Sequence, residues 1–344
     1  MAKHLFLAST PFNVLTAAMI AFELLDGDHA ELGLIDQTET TATFRNAVLH
    51  WTDSPFSMVH QLSQQAKGKH KRAQRKQAFQ NIAKCLKQLN PDWIYTGNDR
   101  RIEFQYAMAH SSARGVYVDD GTYSYLGRPT HWFKDQVVDN LVKKVAYGRW
   151  WKQPPAIGAS EWIDHSVLAF PNSAIDILKR RPCKQLPSNL GRSEFSSLAH
   201  LCLQTGTGPL SDLKGLLLLP HESAITDSQT LMGNWLSNCA KPAGYKHHPR
   251  TSDASRSHEA LTTRWNLPAD AVSVEPSIPM EILLPLLSAD CKIAGDASTA
   301  LLTAKWLRPE LNVSAFITAD TSSDWTDLLK RLNINISLSE PAGS

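Results

Sequence analysis

The sequence predicts an α/β protein made of two parallel-sheet domains. Three observations carry the prediction. Short apolar runs alternate with longer amphipathic stretches, the pattern of strands and helices wound into a parallel sheet. The alternation weakens between residues 152 and 208, where Gln153-Pro154-Pro155, Leu186-Pro187-Ser188 and Gly206-Thr207-Gly208-Pro209 are turn chemistry, and then it resumes. The length of 344 residues is about twice the ~150 residues of a typical domain. The expected layout is a first domain over 1–185, a linker over 186–211 and a second domain over 212–344, whose last helix packs back on the first domain.

The elements follow in order. His4-Leu5-Phe6-Leu7-Ala8 is a short apolar strand. Ser9-Thr10-Pro11 then offers a cap and a proline suited to a first helical turn. Phe12, Leu15, Ala18, Met19, Phe22 and Leu25 recur at helical spacing until Gly27. Glu31 to Asp36 is a second strand. Lys69 to Leu89 is a helix, stopped by Asn90-Pro91. Trp93 to Thr96 is a strand, with the polar turn Gly97-Asn98-Asp99-Arg100 behind it, and a helix covers Arg101 to His110. Gly115 to Val118 is a strand that runs into Asp119-Asp120-Gly121. Ser166 to Phe170 and Ala174 to Lys179 form a further strand and helix. The second domain opens with the strand Gly215 to Leu219. A helix near Ser228 to Cys239, a strand near Tyr245 and a helix over Pro279 to Leu287 follow. The pairs Cys291–Ala294 with Ser298–Trp306, and Val313–Ile317 with Trp325–Leu332, close the chain.

Composition narrows the function. Lys and Arg total 35 against 33 Asp and Glu, a net charge of +2, which excludes a protein that coats nucleic acid by bulk charge. The five cysteines, Cys85, Cys183, Cys202, Cys239 and Cys291, are scattered without a CxxC pair. That suits a reducing compartment better than a disulfide framework, and it makes a poor zinc site, so no metal ligands are expected. No run of about 18 apolar residues occurs. The apolar stretch Val14 to Leu25 is interrupted by Thr16 and Glu23 and has no cleavage site of a signal peptide. The expectation is a soluble, cytoplasmic protein.

Ligands of parallel sheets bind beyond the carboxyl ends of the strands, and several polar groups fall there. Asp119-Asp120-Gly121 places two acids at a strand end. One can serve as general base while its neighbour holds backbone or raises the pKa of the first; a plain turn is the ordinary alternative. Thr10, Asn98 and Asp99 at the other strand ends of this domain, and Gly121 in the same turn as the acids, are candidate acceptor groups. Lys246-His247-His248-Pro249-Arg250 is a poor metal site because cations flank the imidazoles. It is a good phosphate site for the same reason, and otherwise a solvated basic loop. Gly295-Asp296-Ala297-Ser298-Thr299 is a strand-to-helix turn of small and hydroxyl residues, suited to an anion or to simple capping. Glu281 in Pro279-Met280-Glu281 suits a first helical turn or a ribose diol. The run Lys67, Lys69, His70, Lys71, Arg72, Arg75, Lys76 is a solvated helix face or a contact to an anionic membrane surface. Trp150-Trp151 is a second interfacial patch or ordinary packing.

In this order, Asp119-Asp120-Gly121, His248-Pro249 and Ser298-Thr299 resemble the motifs of bacterial sialyltransferases, in particular the lipooligosaccharide sialyltransferases of glycosyltransferase family 52 and their polysialyltransferase relatives. Leu7-Ala8-Ser9-Thr10-Pro11-Phe12 is similar to the opening of that family, and Ile278-Pro279-Met280-Glu281 to its ribose-binding segment. The hydroxyl pair is Ser-Thr where the family has Ser-Ser. The resemblance implies a GT-B fold, two Rossmann-like domains across a cleft. It implies inverting, metal-independent transfer of a sialic or related nonulosonic acid from a CMP-activated donor to a lipooligosaccharide or capsule acceptor, with no cofactor. It assigns Asp119 as base with Asp120 as second choice, His248 as acid on the leaving phosphate, Lys246, Pro249, Ser298 and Thr299 as phosphate-binding residues and Glu281 as ribose ligand. A phosphate neutralised by Lys, His and a helix end needs no metal.

A CMP-Kdo transferase and a CDP-glycerol-type phosphotransferase fit the same motifs. A non-catalytic polyanion-binding protein is the alternative of another class. The expected partners are the donor and a glycan acceptor, lipid-linked in the case of membrane contact through Lys67 to Lys76, and no nucleic acid. The expected location is the cytoplasm, at the inner face of the membrane when that contact is made.

Overall fold

A computed structural model of the chain describes residues 1–25, 27–65, 68–127, 137–189, 193–203, 210–221, 229–249, 251, 265–276 and 278–338. The chain divides into two compact units. Unit 1 comprises Met1–Arg45 and Thr52–Asn189, and unit 2 comprises Asn46–Trp51 and Leu190–Ser344.

Unit 1 holds a seven-stranded sheet. Its strands are β1 (Lys3–Ala8), β2 (His29–Leu34), β3 (Met58–Gln61), β4 (Trp93–Thr96), β5 (Arg114–Val118), β6 (Ile163–Leu168) and β7 (Cys183–Gln185), in the order β3-β2-β1-β4-β5-β6-β7. Every pairing is parallel. Five consecutive residues of β1, His4 to Ala8, are buried. A strand buried on both faces reads as an apolar run, and that is why it is legible in the sequence. The helices are α1 (Pro11–Leu24), α2 (Ala42–Leu49, counted with unit 2 from Asn46 on), α3 (Lys71–Leu89), α4 (Ile102–Ala109), α5 (Thr122–Leu126), α6 (Asp139–Tyr147) and α7 (Asp176–Lys179). Thr10 caps α1 by accepting the Asn13 N–H, with Pro11 in the first turn. The α3 helix begins at Lys71, two residues after the expected start, and ends on Asn90 in the left-handed conformation. Its inward face joins Ile82, Cys85, Leu86 and Leu89 to Leu5, Leu7 and Ile94 of the sheet.

Unit 2 holds a six-stranded parallel sheet of β8 (Gly215–Leu218), β9 (Ala243–Lys246), β10 (Val272–Val274), β11 (Lys292–Asp296), β12 (Val313–Ile317) and β13 (Asn335–Leu338), in the order β10-β9-β8-β11-β12-β13. Its helices are α8 (Ser193–Cys202), α9 (Gln229–Ser237), α10 (Met280–Leu283), α11 (Thr299–Leu307) and α12 (Ser323–Arg331). The stretch 186–211, expected as a linker, contains α8, which buries Phe195, Leu198, Ala199 and Cys202. The helix expected over Pro279 to Leu287 is split. Pro285 cannot donate a backbone bond, so α10 passes into a tighter turn at Leu284–Leu286.

Both sheets share one topology. From a central strand, β1 or β8, the next two strands are added on one side, and the rest of the chain adds strands on the other. This is the Rossmann-like order, with a switch point between β1 and β4 in unit 1 and between β8 and β11 in unit 2, where the crevice for a ligand opens. The two parallel sheets with flanking helices are the α/β fold that the sequence predicts. All five cysteines are free. No helix among the described residues is long and apolar enough to cross a membrane.

Candidate active site

In unit 1, the strands β1, β4 and β5 lie side by side, so the turns after Ala8, Thr96 and Val118 gather at one edge of the sheet. The two acids of the last turn have different surroundings. Asp119 is buried and committed to holding the chain. Its Oδ1 accepts the Gly121 N–H at 2.8 Å and the Ser124 hydroxyl at 3.1 Å. Its Oδ2 accepts the Ala169 N–H at 2.8 Å and the Tyr125 hydroxyl. Four donors leave no lone pair directed at a substrate. Burial raises its pKa against the pull of these donors. Gly121 is part of the same device, since its φ of 76° is a conformation that favours glycine and turns the chain back toward Asp119.

Asp120 is partly exposed. Its Oδ1 accepts from Asn13 Nδ2 at 3.3 Å. Burial pushes its pKa up to about 7; the Asn13 bond and the Arg101 charge pull it down, and the Asp119 and Asp99 charges push it up. A carboxyl group balanced near neutrality is suited to taking a proton. Asn13 itself is 5% exposed. Its Oδ1 accepts from the Ser9 backbone and hydroxyl, which orients the amide toward Asp120. Gly97 makes room for this pair. A Cβ there would stand 2.3 Å from Asn13 Nδ2 and 3.2 Å from Asp120 Oδ1.

The other residues expected at these strand ends divide. Thr10 is exposed and serves as the cap of α1. Asn98 accepts the Arg100 N–H through Oδ1 and shapes the turn. Asp99 is fully buried and accepts the N–H groups of Gly158 and Ser160 at 2.9 and 2.7 Å. Burial lifts its pKa to about 6. Sequence reasoning missed Asn13, Gly97, Arg101 and Asp36. Arg101 pairs with Asp36 beside a cavity of about 230 Å³, whose walls include Arg75, Arg100, Lys143 and Glu103.

In unit 2, β8, β9 and β11 carry the corresponding turns. Half-buried His248, just beyond β9, meets the half-buried His221, just beyond β8, edge to face with ring centroids 5.3 Å apart. His221 lay unread in the sequence. Pro249 is exposed behind His248. Lys246 is 5% exposed, and its Nζ donates to the Pro276 carbonyl at 2.8 Å, so it holds the segment that leads into α10. Glu281 lies in that helix. Burial raises its pKa, and the nearby Lys246 charge opposes the rise. Ser298 caps α11 by position alone, without a capping side-chain bond, and Thr299 begins the helix. This turn is the N-terminal end of α11, a kind of position that suits an anion. Asp296 at the end of β11 has a pKa lifted to about 6 by burial.

Two of the residues singled out in the sequence, Lys67 and Arg250, lie outside the described residues. Lys69, His70, Lys71, Arg72 and Lys76 are exposed. Trp151 is fully buried, with Nε1 donating to Gln153 and Lys143 above its ring, so it is packing and not an interfacial patch.

No family model and no curated protein matches the sequence. Solved structures do match the fold. A UDP-N-acetylglucosamine 2-epimerase aligns with a TM-score of 0.58 at 11% identity, over 98% of this chain and 84% of that one. The Neisseria meningitidis UDP-GlcNAc 2-epimerase bound to UDP-GlcNAc aligns with a TM-score of 0.57 at 9% identity, over 99% and 88%. HepE of Anabaena, in complex with UDP and glucose, aligns with a TM-score of 0.50 at 12% identity, over 99% and 86%. These similarities show the fold, which is of the GT-B class.

Proposed function

We propose that the protein is an inverting, metal-independent glycosyltransferase that moves a sialic or related nonulosonic acid from a CMP-activated donor to a glycan acceptor. The observation that carries this reading is Asp120: a carboxylate at the carboxyl end of β5, held on one oxygen by Asn13 from the first turn of α1, after β1, with a pKa pushed up to about 7. Unit 1 supplies this base. The acceptor hydroxyl gives its proton to Asp120 as its oxygen bonds to the anomeric carbon of the donor sugar. The bond from that carbon to the CMP phosphate oxygen breaks, and CMP leaves. Unit 2 supplies the groups that take up the leaving charge. His248 donates a proton to the departing phosphate, and the turn of Ser298 and Thr299 binds it through hydroxyls and helix N–H groups. Glu281 takes the ribose, and Lys246 positions the Glu281 segment through Pro276. Asp119 is a positioning residue that fixes the turn.

The choice of CMP rests on the ordered motifs Asp119-Asp120-Gly121, His248-Pro249 and Ser298-Thr299. The UDP-GlcNAc of one structural neighbour and the UDP and glucose of another favour a second reading, a UDP-sugar enzyme on the same fold. Calorimetric titration with CMP, CDP and UDP separates the two. Tighter binding of CMP, weakened by Ser298→Ala, supports the proposal; tighter binding of UDP supports the second reading.

A lipid-linked acceptor at an anionic membrane surface suits one further feature. Val137 and Val138 lead into α6, and with Leu141, Val142 and Val145 they form an apolar stripe in which Val145 is 81% exposed. Arg75 of α3 packs on the other face of α6, 5.0 Å above the Tyr147 ring. An exposed apolar stripe on a helix that also carries Lys143 and Lys144 is the make-up of an interfacial helix.

A further inference from the structure

Glu31, His60 and Cys85 come from three elements of unit 1 and meet on one face of its sheet. In the parallel register, Gly33 of β2 lies opposite His60 of β3. Residues 29, 31 and 33 alternate onto the same face of β2, so His29 and Glu31 share the side of His60. The α3 helix covers that face with Cys85, which packs in the same cluster as Leu62 and Ile82. One carboxylate oxygen of Glu31, one ring nitrogen of His60 and the Cys85 sulfur all lie within 4.8 Å of one another. His60 Nε2 is 2.6 Å from Glu31 Oε2. The second oxygen, Oε1, is 3.0 Å from His29 Nε2, which also meets Ser57 Oγ at 3.1 Å.

We infer that Glu31, His60 and Cys85 form a binding site for one divalent transition-metal ion of the zinc class, separate from the proposed active site. Nitrogen, sulfur and oxygen donors together are the mixed set that zinc accepts, at about 2.0–2.3 Å from the ion. Tetrahedral geometry at those lengths sets donors about 3.3–3.7 Å apart, so the His60–Glu31 pair, now 2.6 Å apart, widens to admit an ion while the wider spacings of the trio, which lie within 4.8 Å, close. The Glu31 carboxylate and the Cys85 thiolate together neutralise a divalent ion. Cys85 is 2% exposed. A cysteine binds a metal as its thiolate, so uptake of an ion releases the thiol proton. His29, on the second oxygen of Glu31, orients the carboxylate as outer partners of metal ligands do. Three protein donors leave a fourth position for water or a small ligand. The thiolate selects against magnesium and calcium, which take oxygen donors. The strands β1 and β4 separate β2 from β5, so an ion here does not touch Asp120.

The test uses the full-length protein, stripped by chelator and titrated with zinc and, in parallel, with cobalt as a spectroscopic substitute. One equivalent of cobalt should bind with a thiolate-to-cobalt charge-transfer band and the strong visible bands of a four-coordinate ion. Cys85→Ser should abolish the charge-transfer band. His60→Gln, on an edge strand, should keep the fold by circular dichroism and weaken zinc at least about tenfold, a typical loss even for outer partners. Absence of the band in the wild-type protein, or zinc affinity unchanged in His60→Gln, overturns the inference.

Discussion

Replacing Asp120 by Asn separates the chemistry of this carboxylate from its cost to the fold. Its pKa is raised from 3.8 to about 7 in the folded protein. A raised value means that the folded state holds a proton which the unfolded state has lost between those two pH values. Stability is therefore intact below the unfolded value and falls as pH rises through about 7. The width of that window caps the loss at about 4 kcal/mol. Asp120 is partly exposed, and solvent screening reduces the expected effect to about 1–3 kcal/mol. Asp120→Asn removes the loss because the amide never ionises. Thermal unfolding should show the variant more stable than wild type at pH 8, by roughly 2–8 °C for a unit of this size. About a third of that gap should remain at pH 5, which lies about a third of the way through the pH window. Transfer by the same variant should fall by about 10²–10⁴-fold, the scale of a lost general base. Equal melting temperatures at pH 8, or a variant that keeps full turnover, would refute the assignment of Asp120.

Three further outcomes follow from the same geometry. Asp119→Asn sets an amide N–H₂ against N–H and O–H donors, so it should destabilise the fold by about 3 kcal/mol or more, seen as a lower melting temperature at every pH from 5 to 8. Gly97→Ala places a methyl group against Asn13 and loosens the bond that lowers the Asp120 pKa, so turnover should fall and the inflection of the pH–rate profile should move above its wild-type position near pH 7. Leu141→Glu with Val145→Glu should release the protein from vesicles rich in anionic lipid in a sedimentation assay and leave transfer to a soluble acceptor unchanged.

The elements that face the core on both sides were the ones legible in the sequence. Leu5 to Ala8 and Leu216 to Leu218 are runs of apolar residues because a central parallel strand is covered on each face. The edge strand β3 is invisible by the same reasoning: Met58, Val59, His60 and Gln61 are half-exposed or exposed and carry no apolar run. The site shows a similar division. Asp119-Asp120-Gly121 is recognisable because a strand, two acids and a glycine are contiguous. The distribution of roles between the two acids is not, since it depends on the Ala169 N–H from beyond β6 and on the Tyr125 hydroxyl. Asn13 reads as an ordinary helical position. Only the sheet order, which sets β1, β4 and β5 side by side, brings it to Asp120. His221 is equally silent until β8 and β9 pair and bring it beside His248.

The central claim is that this fold cleaves a CMP-activated sugar acid with its own side chains. The most direct measurement is release of free CMP from a CMP-linked nonulosonic acid, with EDTA present, by wild type and by His248→Ala. The account predicts release by the wild-type protein that survives the chelator and falls by about 10²–10⁴-fold in His248→Ala, the scale of a lost acid catalyst. No release of CMP, together with conversion of UDP-GlcNAc by the same preparation, would contradict it.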